Sequence, residues 1–72
     1  MQNLHPNTAA ILRHFTWDHL PEHLQAVSRP FADLAHDLAA TLDGPELTAC
    51  LRKLLEAKDC AVRAALDTPK ES

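Results

Sequence analysis

The stretch LRKLLEAKDCAVRAAL, residues 51–66, decides the fold. It contains neither Gly nor Pro, and its leucines and alanines are strong helix formers. Apolar residues recur at helical spacing, which predicts an amphipathic helix over about residues 45–66. Lys58 falls where the apolar stripe should continue, so this helix places a cation beside its own apolar face. The stripe consists of Leu47, Leu51, Leu54, Val62 and Leu66.

A second amphipathic helix is predicted earlier in the chain, over about residues 21–42. Pro21 suits the first turn of a helix, and apolar residues follow it in steps of three or four. Pro30 lies inside this pattern and predicts a kink or local opening near residues 26–29, because it lacks a backbone donor. The predicted apolar face consists of Leu24, Val27, Phe31, Leu34, Leu38 and Leu42.

The segment DGPE, residues 43–46, predicts the end of one helix and the start of the next. Gly44 can adopt the left-handed conformation that ends a helix, and Pro45 suits a first turn. Asp43 and Glu46 have the spacing of a capping box. Because the link is short, the two helices should be antiparallel neighbours.

A short helical arm precedes these two helices. Asn7 or Thr8 can cap a segment over about residues 8–15 that is too short to be stable alone. The sequence therefore predicts an all-α fold, an antiparallel helical hairpin with an N-terminal helical arm, as a single domain over residues 1–72. Two helices cannot cover this many leucines, so we expect the chain to form a homo-oligomer.

Composition narrows the classes of function. The net charge of −3 argues against binding DNA or RNA polymers, which needs a broad basic face. Neither a signal peptide nor a membrane span is apparent, so we expect a cytoplasmic protein. Cys50 and Cys60 are too far apart on one helix to form a disulfide, and we expect both to be reduced and buried.

Signatures of catalysis are missing from the sequence. It has neither a glycine-rich phosphate loop nor a nucleophile elbow, and no pair of residues suggests acid–base chemistry. Five His residues invite a metal hypothesis, but no HExxH motif or suitable Cys spacing accompanies them. We predict a binding protein without metal or cofactor, not an enzyme.

Three positions allow both a structural and a functional interpretation. Lys58 either extends its head to water or meets an anion at a subunit seam. Arg63 either pairs with Asp59, four residues earlier, or binds phosphate while Asp59 holds it in place. Trp17, two residues after Phe15 in FTWDHLP, either packs the arm onto the helices or stacks on a planar ring such as a nucleobase, with Phe15 in a supporting role.

Three segments together carry a resemblance to a known family: HLPEHLQAVSRPFADLA, then GPEL, then LRKLLEAKDCAVRAAL. They resemble the short helical proteins with which bacteriophages sequester cyclic-oligonucleotide immune signals. These are the anti-CBASS sponges, whose helical hairpin is shared with the anti-Thoeris sponges. The resemblance covers roughly residues 15–66, and its most specific part is AKDCAVRAAL.

The resemblance implies a hexamer of helical hairpins that binds cyclic dinucleotides intact between its subunits, with cyclic trinucleotides in a second class of pocket in some members. It implies that Trp17 stacks on a base, that Arg29 meets the phosphates and that Arg63 contacts the nucleotide. Lys58 belongs to the same signature. Two alternatives stay open: a helical-hairpin module that binds another protein, and a hydrolase of cyclic nucleotides.

Overall fold

The computed structural model describes residues 6–67, and all regular structure in that part of the chain is helical, as predicted. Helix α1 spans Pro6–Leu12 and continues into a 3-10 turn at Arg13–Phe15. Helix α2 spans Glu22–Thr41 and helix α3 spans Pro45–Asp67. We call α1 with its 3-10 turn the arm, and residues 16–21 the connection. The remainder of the predicted domain, residues 1–5 and 68–72, lies outside the described residues.

The bounds of the two long helices follow their sequence signals to within one residue, but the start of the arm does not. Helix α1 begins at Pro6, a residue type that suits a first helical turn because its missing donor is not needed there. Thr8 therefore lies inside the helix, where it is buried, and the predicted cap at Asn7 or Thr8 is wrong.

Helix α2 is continuous through Pro30. The predicted opening near residues 26–29 is therefore wrong. Pro30 itself is exposed, so water can reach this side of the helix, where proline leaves one backbone bond unmade.

The link between α2 and α3 uses Gly44 in a different way from the one predicted. Gly44 has a φ of 97°, in the left-handed region, but it stands directly before α3 and not at the end of α2. Its carbonyl accepts hydrogen bonds from the backbone amides of Leu47 and Thr48, at 3.1 and 3.4 Å. The predicted capping box of Asp43 and Glu46 is not formed, because Gly44 and not Asp43 directly precedes the helix, and neither side chain makes a hydrogen bond within residues 6–67.

The buried face of α2 is displaced from the predicted one. Small residues line it, and only Leu24 belongs to both sets. Leu34 and Leu42, predicted to be buried, are 46% and 49% exposed. Small side chains allow close packing of helices, so the larger residues lie beside the contact and not within it. The buried residues of α2 are Leu24, Ser28, Ala32, Ala35 and Ala39.

The core forms where the arm, α2 and α3 meet. Ile11, Leu12 and Phe15 of the arm join the small residues of α2 and the first half of α3, where Leu47 and Leu51 are buried. The second half of α3 is less covered, and Leu66 near its end is 62% exposed. The arm therefore completes a core that two helices would leave incomplete.

Both cysteines lie outside this core. Cys50 and Cys60 are free and exposed, so the prediction that they are buried is wrong. Each is on α3, but neither is on the face that meets α2 and the arm. Within residues 6–67, none of the helices is long and apolar enough to span a membrane.

Candidate functional site: two clefts beside the connection

The connection that carries Trp17 is held by a turn of its own and by hydrogen bonds from α2. The backbone amide of Leu20 donates to the carbonyl of Trp17 at 3.1 Å, closing a turn. From the first turns of α2, the side-chain amide of Gln25 donates to the carbonyls of Leu20 and Asp18, at 2.8 and 3.3 Å. A segment without regular secondary structure is thereby fixed against α2.

Trp17 and Arg29 form a contact that the sequence could not show. The guanidinium carbon of Arg29 lies 4.9 Å from the centroid of the Trp17 ring, a cation–π geometry. Trp17 is half-buried and packs against the core, whereas the Arg29 side chain is 62% exposed. Asp33 lies one turn further on, with its carboxylate 4.0 Å from Nε of Arg29. The structure thus brings together two of the predicted ligand-binding residues.

An open cleft of about 300 Å³, which we call the Trp17 cleft, lies beside the indole ring. Its floor is apolar, since Leu12 and Ala32 are buried core residues. Asp18 and His36 supply polar groups at its edge. A flat ring could therefore pack against the indole while its edge meets hydrogen-bonding groups. The lining residues are Leu12, Phe15, Thr16, Trp17, Asp18, Ala32 and His36.

Lys58 lies on the apolar face of α3 and forms a hydrogen bond with the arm. Its ammonium donates a hydrogen bond of 2.8 Å to the backbone carbonyl of His14. The same group lies 5.8 Å from the centroid of the Phe15 ring and 3.6 Å from the carboxylate of Asp59. The Lys58 side chain is only 12% exposed. A cation suits this place because the last carbonyls of a helix lack partners within the helix.

A second open cleft, which we call the basic cleft, lies between the arm with its connection and the second half of α3. Its volume is about 410 Å³. Lys58 and Arg63, both predicted to bind the ligand, line it together. Among residues 6–67, Asp59 is the only acidic residue that lines it. The lining residues are Arg13, His14, Thr16, His19, Leu20, Lys58, Asp59, Val62 and Arg63.

The predicted ion pair between Asp59 and Arg63 is not formed. Asp59 instead faces Lys58, its neighbour in sequence. The Arg63 guanidinium donates to the sulfur of Cys60 at 3.5 Å, and within the described part of the chain it forms no ion pair. Arg63 is exposed, so its charge is open to solvent or to a ligand.

Phe15, predicted to support the site, is a core residue. It is 1% exposed and fills the space between the arm and the two long helices. Its neighbour Thr16 lines both clefts, so the Trp17 cleft and the basic cleft lie next to each other at the start of the connection. The predicted site residues thus separate into two groups: Trp17 with Arg29, and Lys58 with Asp59 and Arg63.

Sequence reasoning missed three basic or titratable residues of the basic cleft: Arg13, His14 and His19. Their only signal is the pair Arg13-His14 at the end of the arm, and their relation to α3 depends on how the arm packs. In residues 6–67, no three His, Cys, Asp or Glu side chains come together as possible metal ligands. The chain matches no family model, no curated protein and no solved structure.

Proposed function

We propose that this protein binds cyclic di- and trinucleotide immune signals without cleaving them, and that it sequesters them in the host cytoplasm to counter bacterial anti-phage defence. The observation that carries the proposal is the contact between Arg29 and Trp17 beside an open cleft. Such a pair offers a π-face to a nucleobase and a guanidinium to its phosphate within one small area.

The Trp17 cleft would take the base. Its apolar floor and indole wall suit stacking, which is tolerant of base identity because every base has a π-face. Asp18 and His36, at the rim, would hydrogen bond the base edge. Arg29 has room to turn from the ring towards a phosphate, because it is exposed and its ion pair with Asp33 is long.

The basic cleft would take phosphate. A cyclic oligonucleotide carries a phosphate for every base, so a binding protein needs cations close to its stacking surface. Thr16 lines both clefts, and Arg63 brings to the second of them a guanidinium that has no carboxylate partner within residues 6–67. Lys58 contributes to the positive field of the cleft even while it bonds the His14 carbonyl.

Assembly is part of the proposal. We propose that α2 and α3 form an antiparallel hairpin and that the hairpins associate, with the hexamer of the family that the sequence resembles as the expected assembly. The exposed leucines Leu34, Leu42 and Leu66 would be covered in such an assembly. Symmetry would also repeat each cation around a shared ligand, which offsets the acidity of a single chain.

Calorimetry with a panel of cyclic di- and trinucleotides tests the proposal, with a linear dinucleotide as a control ligand. We expect saturable binding with a dissociation constant of about micromolar or tighter. Trp17→Leu should weaken it at least about tenfold by removing the stack, whereas Trp17→Phe should retain most of it. Arg63→Gln should weaken it more than Arg52→Gln, the matched change on α3 outside both clefts.

Two further measurements complete the test. Ligand released from the heat-denatured complex should be chemically unchanged, and a cleaved product would show hydrolysis instead. Light scattering should detect an oligomer at micromolar protein. Absence of binding across the whole panel would rule out the sponge.

A second candidate function is a module that binds another protein. It is favoured by the exposed leucines, and by Lys58 having both an ion-pair partner and a backbone acceptor inside its own chain. In that case Leu34→Gln and Leu42→Gln would abolish partner binding, while Trp17→Leu would have little effect on it. The ligand panel distinguishes the two candidates.

A further inference from the structure

The basic cleft concentrates positive charge on an acidic protein. Of the six Lys and Arg residues within residues 6–67, three line it, against one of the nine Asp and Glu residues in the same range. Two His side chains add ring nitrogens that can donate hydrogen bonds. A cleft so unlike the average surface is expected to attract an anion, since a local positive field can exist on a protein of negative net charge.

Only one of the three cations in this cleft has a carboxylate partner within residues 6–67. Lys58 and Asp59 lie 3.6 Å apart, so the single carboxylate is offset by the most buried of the three cations. Arg13 and Arg63 are the other two cations. Within residues 6–67 neither guanidinium has a carboxylate partner, and both residues are exposed.

We propose that Arg13 and Arg63 bind a phosphate or pyrophosphate group in the basic cleft of a single chain, with His19 as an additional hydrogen-bond donor. Arg13 and His19 reach the cleft from the arm and the connection, and Arg63 from α3. Guanidinium groups suit this work because each presents a planar fork of donors that matches two phosphate oxygens. The volume of about 410 Å³ leaves room for whatever the phosphate is attached to.

Lys58 takes a different role from the one that the sequence suggests: it is a positioning residue. Its short bond to the carbonyl of His14 ties the last turn of the arm to α3. Arg13 is the residue directly before His14, so this bond fixes the separation between the two walls of the cleft. Its ammonium already donates to this carbonyl and lies 3.6 Å from the carboxylate of Asp59, so it has less to offer a ligand than the two arginines.

The inference extends beyond the proposed function because the cleft is complete in one chain. It could take inorganic pyrophosphate or the phosphodiester of a cyclic oligonucleotide, and only the second of these rests on the proposed function. The two sources are therefore tested separately.

The experiment is an NMR titration of the full chain with inorganic pyrophosphate, followed at the Nε–H groups of arginine and the ε-methylene of Lys58. We expect saturable shifts at Arg13 and Arg63 and a smaller change at Lys58. Arg13→Gln and Arg63→Gln should each weaken pyrophosphate binding about tenfold or more, while Arg52→Gln should not change it. All three variants remove one positive charge from an exposed site, so Arg52→Gln controls for net charge.

Lys58→Met tests the positioning role. We expect weaker pyrophosphate binding together with altered Arg13 signals in the free protein, because the arm is no longer tied to α3. Amide spectra of each variant check that it is folded. If the Lys58 ε-methylene moves most and the two arginines do not respond, the assigned roles are wrong.

The remaining outcomes separate this inference from the sponge. Equal weakening by Arg52→Gln, or no saturable binding of pyrophosphate, overturns the phosphate site. If cyclic dinucleotides still bind and Arg13→Gln does not affect them, the proposed function stands without this inference. If pyrophosphate binds through Arg13 and Arg63 while the cyclic panel fails, the cleft is a phosphate site and the sponge is excluded.

Discussion

Two cation–aromatic contacts flank the connection, and they differ in almost everything except their chemistry. Lys58 lies over Phe15 on the α3 side, with a hydrogen bond to the arm and 12% of its side chain exposed. Arg29 lies over Trp17 on the α2 side, with one long ion pair and 62% of its side chain exposed. The first contact is closed by the fold and the second is open.

This difference separates a structural element from a candidate binding element. A buried ring and a largely covered lysine side chain with a backbone acceptor gain stability from each other and from the core. An exposed guanidinium on a half-buried indole gains little from solvent-screened contacts and can exchange them for a ligand. A cation over an aromatic ring can therefore be structural or available to a ligand, and burial distinguishes the two cases.

The largest change in stability is expected from removing the buried ring of Phe15. Phe15→Ala should lower the free energy of unfolding by about 3–5 kcal/mol, because it leaves a cavity where the arm meets the two long helices. Urea unfolding followed by circular dichroism measures this. Because a chain of this size can fail to fold after such a loss, Phe15→Leu serves as the graded version, with a cost of about 1–2 kcal/mol. A Phe15→Leu protein as stable as the parent would mean that the arm contributes little to the core.

How much of this could be read from the sequence depends on where the partner of each residue lies. Leucine periodicity located α2 and α3 because that signal is local and repeats. The arm carried no such signal, so its packing, and with it the burial of Phe15, could not be foreseen. The buried face of α2 was misjudged because alanines and Ser28 form it, and a search for large apolar residues passes over them.

The sequence pointed to individual residues of the candidate site but not to the contacts between them. Lys58 was singled out because a cation interrupts an apolar stripe, which is a feature of one helix. Its acceptor, the carbonyl of His14, is distant in sequence and belongs to the backbone, which has no sequence signature. Arg13 and His19 were missed for a related reason, since only tertiary packing brings the arm and the connection to α3.

A smaller loss of stability is expected from removing the ammonium of Lys58. Lys58→Met keeps the length and packing of the stem but removes the hydrogen bond to His14, and should cost about 1–2 kcal/mol. Lys53→Met is the matched control, because Lys53 is exposed on the same helix, and should change stability by less than about 0.5 kcal/mol. Equal effects of the two substitutions in the same urea experiment would show that the bond to the arm is not stabilising.

A smaller effect, of opposite sign, is expected at Ser28, which precedes Arg29 but faces the core. Its hydroxyl is buried and has no hydrogen-bond partner among residues 6–67. Ser28→Ala should therefore raise the free energy of unfolding by roughly 1 kcal/mol, with a contribution from the higher helix propensity of alanine. Ligand binding should be unaffected, which separates the core side of α2 from its open side. A loss of stability would mean that the hydroxyl makes a stabilising interaction.

The smallest change in stability is expected for the open pair itself. Arg29→Ala should alter the free energy of unfolding by less than about 0.5 kcal/mol, because its contacts are exposed. Trp17 is the only tryptophan, so its fluorescence reports the contact directly. Quenching by acrylamide should increase when Arg29 no longer covers the ring, whereas Arg52→Ala should leave it unchanged. Unaltered quenching in Arg29→Ala would show that Arg29 does not cover the Trp17 ring in solution.

The most direct measurement of the central claim is the fluorescence of Trp17 during titration with cyclic di- and trinucleotides. A base that stacks on the indole must change its emission. We predict a saturable change with a midpoint of about micromolar or lower, and a much weaker response in Arg29→Ala, whose ring lacks the cation. Constant emission across the whole panel would contradict the claim that the open aromatic–cation pair is where the ligand binds.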